Sequence, residues 1–110
     1  MIGLKIGPNL GYSAYFATKG AIPTLTRSLA VELGSRNPKV RVNCILPGPV
    51  MLPLDLPLEE RQEAINATLV RSEGSPQDIS RAVLFLIQSE FITGIELPVD
   101  GGRTIWANGK

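Results

Sequence analysis

Val40-Arg-Val-Asn-Cys-Ile-Leu46-Pro-Gly-Pro49 is the stretch that decides the fold. Val40, Val42, Cys44 and Leu46 alternate, as the apolar face of a strand does, so a strand is predicted over 40–46. Ile45 makes the opposite face partly apolar too, which suits a strand covered by helices on both sides. Pro47-Gly48-Pro49 ends it abruptly, because proline donates no ladder hydrogen bond and Pro-Gly favours a turn.

Upstream, residues 1–11 carry Gly3, Gly7, Pro8, Asn9 and Gly11 and read as a loop. A helix is predicted over about 12–33, with Ile22, Leu25, Leu29 and Leu33 as its stripe and Gly34 as its C-cap. Pro23 inside it removes the bond to the Lys19 carbonyl and predicts a kink there. Downstream, Val50 to Leu58 alternates leucines with Pro53 and Pro57. This reads as a ligand loop at the C-terminal end of a strand, or equally as a surface loop pinned by its leucines. A helix over 59–72 starts with Glu59 and Glu60, as the helix dipole prefers, and its thin stripe of Ala64, Ile65 and Leu69 suits a surface lid. Ser75-Pro76-Gln77-Asp78 has the chemistry of a capping box with proline at the first helical position, opening a helix over 76–88. Ile79, Ala82, Val83, Leu86 and Ile87 are its expected buried face. A last strand over 95–99 runs into Asp100-Gly101-Gly102. Two strands separated by helices pair in parallel in an α/β crossover.

The chemistry-bearing stretch is Gly11-Tyr-Ser-Ala-Tyr15-Phe-Ala-Thr-Lys19-Gly20. Tyr15 and Lys19, four apart, share one helix face. A phenol's ordinary pKa of ~10 is too high for proton exchange near neutrality, and an adjacent ammonium lowers it. The pair alone reads more readily as an amphipathic helix start with a tyrosine packed over a lysine stem.

Taken in order, Tyr15-x-x-x-Lys19, the strand ending in Pro47-Gly48, Thr93-Gly94 and Val99-Asp100-Gly101-Gly102 resemble the C-terminal half of the short-chain dehydrogenase/reductase family over residues 11 to 103. The resemblance implies part of a Rossmann-like, doubly wound α/β sheet, with two parallel strands and about three helices. It implies hydride transfer between NAD(P)(H) and a carbonyl/alcohol pair. Tyr15 would be the general acid/base; Lys19 would lower its pKa and hydrogen-bond the nicotinamide ribose. The backbone following Pro47 and Gly48, at Pro49 and Val50, would meet the carboxamide. Many members carry a threonine at the position of Leu52, where it reaches the pyrophosphate. Pro-Gly-Pro-Val-Met-Leu-Pro is similar to the pteridine reductase-like branch, which tips the expected cofactor from NAD toward NADP.

The family's glycine-rich dinucleotide turn would lie upstream, and Gly3, Gly7 and Gly11 do not follow a strand. The family's serine would fall near Ile2, where there is none. A two-stranded parallel sheet is marginal alone and would leave strand 40–46 an open edge. Residues 1–110 are therefore expected to be one partial domain, lacking the dinucleotide-binding half. The expected partners are that half, a small carbonyl or alcohol substrate, and further copies of the chain. The competing expectation is a non-catalytic remnant serving association.

Of the 110 residues, 44% are hydrophobic and 19% charged, which suits a globular chain. A net charge of +1 without a basic run gives no reason to expect nucleic acid or anionic membrane. Cys44 is the only cysteine and histidine is absent, so neither an intramolecular disulfide nor the usual zinc site is expected. Without a signal-peptide pattern or an apolar run of spanning length, the cytoplasm is the expected location.

Overall fold

A computed structural model describes residues 13–106, with side chains from Gly20 onward. The chain divides into two compact units, the first reaching to Cys44 and including Ile92–Ile95, the second formed by Ile45–Phe91 and the residues from Glu96 onward.

The first unit is built on helix α1 (Ser13–Arg36). It continues through Pro23, and the buried Thr26 hydroxyl donates to the Ile22 carbonyl at 2.8 Å. The helix also runs past Gly34, which is an interior residue and not the expected cap. Gly34 does not adopt the left-handed conformation that a glycine cap uses. The stop comes at Asn37: its Oδ1 accepts the Lys39 N–H and its carbonyl accepts the Val40 N–H, both at 3.0 Å. Pro38 between them has no N–H to continue the helix.

Strand β1 (Cys44–Pro47) is shorter than the predicted 40–46. The residues before it are tied to Ile92–Ile95 largely through side chains. Val42 N–H donates to Thr93 Oγ1 at 3.1 Å, and its carbonyl accepts Gly94 N–H at 2.7 Å. The Asn43 amide donates to the Ile92 carbonyl at 3.2 Å and accepts Ile95 N–H at 3.1 Å. Side-chain groups thus stand in for the ladder, and regular pairing begins only at Cys44.

The second unit contains most of β1, then α2 (Leu58–Asn66), α3 (Pro76–Gln88), β2 (Glu96–Val99) and a 3-10 turn at Arg103–Ile105. β1 and β2 form a two-stranded sheet. Cys44 N–H donates to Ile95 O and Gly48 N–H to Val99 O, both at 3.0 Å. Donor and acceptor advance together along both chains, which is the register of a parallel pair. The chain thus has a partial Rossmann-like α/β fold.

α2 stops at Asn66, well short of the predicted 72. Leu69 N–H and Val70 N–H both turn to the Gly101 carbonyl, at 2.8 and 3.2 Å, a partner that no local pattern announces. The buried Thr68 locks this exit by donating to Ile65 O at 2.7 Å and accepting Ser72 N–H at 3.3 Å. Gly101, at φ +63°, fits because a Cβ there would lie 2.7 Å from Val70 Cγ2.

α3 keeps its predicted bounds and its capping box. Ser75 N–H donates to Asp78 Oδ2 at 2.8 Å, and Asp78 N–H donates to Ser75 Oγ at 3.3 Å. The expected buried face is only partly buried: Leu86 is covered, Ile79 and Ala82 are half-buried, and Val83 and Ile87 are exposed.

Hydrogen bonds from the Ser75 backbone and hydroxyl, then the neighbouring Arg81, hold the Asp78 carboxyl below its ordinary 3.8. A depressed folded pKa contributes stability above the unfolded value, and loses it as pH falls through the folded one. Asp78→Asn is therefore expected to lower the melting temperature near neutrality, with the gap to wild type closing below pH about 4. A gap of constant size down to the acid limit would remove the charge from the cap's contribution.

Candidate functional site

The six residues singled out in the sequence fall into two groups, one in each unit. Tyr15 and Lys19 lie in α1, one turn apart along its backbone near its start; their side chains lie outside the described residues. Pro47, Gly48, Pro49 and Val50 follow one another in the second unit, where β1 ends.

The turn at these four residues is narrow. Val50 N–H donates back to Gly48 O at 2.8 Å, closing a three-residue turn about Pro49. Gly74 N–H donates to Pro49 O at 3.0 Å, and Val50 bridges Gly74 in parallel. Gly48 is required by close approach: a Cβ there would lie 2.6 Å from Asp100 Cα and 2.8 Å from its Cβ. Asp100 has little room to retreat, because its carboxylate accepts the N–H groups of Gly102 and Thr104, both at 3.0 Å, and the Thr104 hydroxyl at 2.5 Å. Partial burial works to raise the Asp100 carboxyl. The hydrogen bonds from Thr104 and the Gly102 N–H outweigh it and hold the group below its ordinary value.

Gly48→Ala is accordingly expected to destabilise by ~1–3 kcal/mol, the usual cost of overpacking. Gly20→Ala, with nothing within 4 Å of the added methyl in α1, is expected to stabilise by ~0.5–1 kcal/mol. Urea-unfolding midpoints of the two variants check the pair, and a neutral Gly48→Ala would mean that Asp100 yields.

A cleft of about 530 Å³ opens in the second unit beside this turn, lined by Pro49, Val50, Thr68, Asp78, Arg81 and Gly101 among others. Past Val50 the chain is held by Glu73, which accepts Leu52 N–H at 2.9 Å and Arg61 Nη1 at 3.0 Å. Arg61 also donates to the Pro53 carbonyl. The leucine loop is covered at Leu52 and Leu56 only in part, with Leu54 and Leu58 exposed. Sequence reasoning gives neither carboxylate a role here: Asp100 is read only as part of the Val99-Asp100-Gly101-Gly102 motif, and Glu73 not at all. Asp100 carried a local signal, an aspartate two residues before a glycine in a turn. Glu73 and Arg61 are twelve residues apart across the end of α2, and no periodicity links them.

Among the described residues no helix is long and apolar enough to cross a membrane, and no cluster of potential metal ligands occurs.

Two parallel strands joined through helices, with a turn at the first strand's carboxyl end, are part of a Rossmann-like α/β fold. A family model described as Enoyl-(Acyl carrier protein) reductase matches residues 2–104. The chain is 41% identical over 100 residues to galactitol 2-dehydrogenase (L-tagatose-forming) of Cereibacter sphaeroides, an alignment covering 86% of this chain and 39% of that protein. It is 42% identical over 102 residues to the 3-oxoacyl-(acyl-carrier-protein) reductase of Mus musculus, covering 93% and 41%. To carbonyl reductase family member 4 of Danio rerio it is 38% identical over 102 residues, again covering 93% and 41%. The chain belongs to the short-chain dehydrogenase/reductase family. It spans about two fifths of the length of these relatives.

Proposed function

We propose that this chain is the acid/base and nicotinamide side of an NAD(P)-dependent oxidoreductase acting on a carbonyl or alcohol. The observation that carries the reading is the family match across residues 2–104, together with Tyr15 and Lys19 one turn apart in α1. Tyr15 moves the proton on the substrate oxygen, and Lys19 holds the tyrosine ready and bonds the ribose. NAD(P)(H), when bound, supplies or accepts the hydride. Pro47 and Gly48 set the turn, and Pro49 and Val50 present backbone to the carboxamide, a flat amide that both donates and accepts hydrogen bonds. The turn fits that group: Gly48 O has a lone pair beyond the one Val50 N–H occupies, and the N–H sits in a small turn that an outside acceptor can compete for. The reading takes residues 1–110 as one partial domain completed by a dinucleotide-binding portion. It favours NADP, and it places the protein in the cytoplasm as a homo-oligomer.

A second reading, a non-catalytic association module, draws on the exposed Leu84, Phe85 and Ile87 of α3 and on Phe91. One experiment separates the two. The N-terminal portion of the Danio rerio relative is joined ahead of this chain, and NADPH oxidation is followed with a panel of aldehydes and ketones. Turnover supports the enzyme reading; a folded chimera that binds NADPH and stays inert across the panel supports the association reading.

A further inference from the structure

We infer that Glu73 and Arg61 form a clasp that fixes loop 51–57, and that they are positioning residues for the substrate side of the proposed reaction. This inference rests on the oxidoreductase reading above for its functional half only. Three observations in the second unit converge on it. First, Met51 has φ +53°, a left-handed conformation uncommon for residues other than glycine, asparagine and aspartate. Such a residue persists only where its neighbours over-determine the backbone. Second, the neighbours are fixed on both sides: Val50 by its bridge to Gly74, and Leu52 by its N–H bond to the Glu73 carboxylate at 2.9 Å. Third, Glu73 is itself held by Arg61 at 3.0 Å, and the same guanidinium reaches the Pro53 carbonyl. One arginine and one carboxylate therefore pin two successive points of the loop.

The pair is built to hold. Its side chains are 23% and 27% exposed, well below those of two other ion pairs, Arg36–Glu32 and Arg81–Asp78. Hydrogen bonds to ionised groups are shorter and stronger than neutral ones, and the guanidinium fork fixes direction as well as distance. The clasp also fixes what it presents: with the backbone turned at Met51, the side chains of Met51 and Leu54 stand 74% and 100% exposed. These apolar groups follow directly on the turn assigned to the nicotinamide. Loop 51–57 in its clasped form is thus an apolar lip for a substrate with hydrocarbon character, and Glu73 and Arg61 determine whether that lip is in place.

The test has two arms. Amide hydrogen exchange is read by mass spectrometry on the full 110-residue chain for wild type, Glu73→Gln and Arg61→Lys. Exchange across 51–57 is expected to accelerate at least tenfold in both variants, with α3 and β2 unchanged. Unaltered exchange in the loop, or acceleration spread equally over α3 and β2, would overturn the clasp. In the chimera, the same variants are expected to raise KM for an alkyl ketone about tenfold while kcat stays within about threefold, a split that general destabilisation does not produce. Unchanged KM, whether or not apparent kcat falls through loss of folded protein, would overturn the positioning role. A chimera inert with Tyr15 and the clasp both intact counts against the oxidoreductase reading and overturns the positioning role with it, while the clasp itself is decided by the exchange arm.

Discussion

Tyr15→Phe is expected to lower kcat of the chimera by ~10²–10⁴-fold, the range that a positioned proton donor contributes. The cofactor dissociation constant is expected to stay within about threefold, a change of under ~0.7 kcal/mol. The substitution keeps the aromatic ring and a similar helix propensity, so α1 keeps its register, and only the hydroxyl leaves. The proposal gives proton transfer to that hydroxyl and the ribose contact to Lys19. Lys19→Ala is therefore expected to behave differently, weakening cofactor binding and turnover together, because one ammonium serves both. Steady-state kinetics and a fluorescence titration with NADPH read the two parameters separately. A Tyr15→Phe chimera at near wild-type rate would remove Tyr15 from the mechanism and leave the family resemblance without its acid/base.

How much of this was legible in the sequence depended on how local the deciding interactions are. The opening of α3 was written in four consecutive residues, because Ser75 and Asp78 satisfy each other's N–H groups within one turn. The position of the Pro47–Val50 turn followed from two prolines and a glycine at a strand's end, and the strand stops there. The end of α2 was not legible: the Gly101 carbonyl that draws Leu69 and Val70 away lies far along the chain, and helix propensity beyond Asn66 reads the same with or without it. The start of β1 failed for a related reason. Alternation at Val40 and Val42 is the same whether the backbone pairs in a ladder or is tied by Thr93 and Asn43 side chains. At the site, the turn was found and the clasp was not, since an arginine and a glutamate on opposite sides of a helix end carry no spacing rule. The buried face assigned to α3 shows the limit of periodicity: it marks which side is apolar, not what covers that side.

The 110-residue chain by itself is expected neither to gain stability from NADPH nor to remain a monomer. Its assigned contacts with the cofactor are few, those of Lys19 and the turn at Gly48 to Val50. At ~1 kcal/mol net for an ordinary hydrogen bond and ~1.5–3 kcal/mol for one to a charged group, they barely offset the ~4 kcal/mol or more of rigid-body freedom that binding removes. A ligand at a hundred times its dissociation constant stabilises by ~2.7 kcal/mol, whereas one far below it stabilises by almost nothing. NADPH is thus expected to leave the melting temperature of the chain unchanged and to raise that of the chimera. Association follows from burial. Leu86 is the one buried large hydrophobic residue among the described residues, while Leu84, Phe85, Ile87 and Phe91 of the same region stand 51% to 104% exposed. Covering such a face with a second copy removes apolar surface from water, which is the gain set against the rigid-body and side-chain entropy lost on pairing. Sedimentation velocity on the purified chain is expected to show dimers or larger species. Leu84→Glu with Phe85→Glu is expected to shift the distribution toward monomer. A monodisperse wild-type monomer whose melting temperature rises with micromolar NADPH would contradict both halves, and would place a complete cofactor site within these 110 residues.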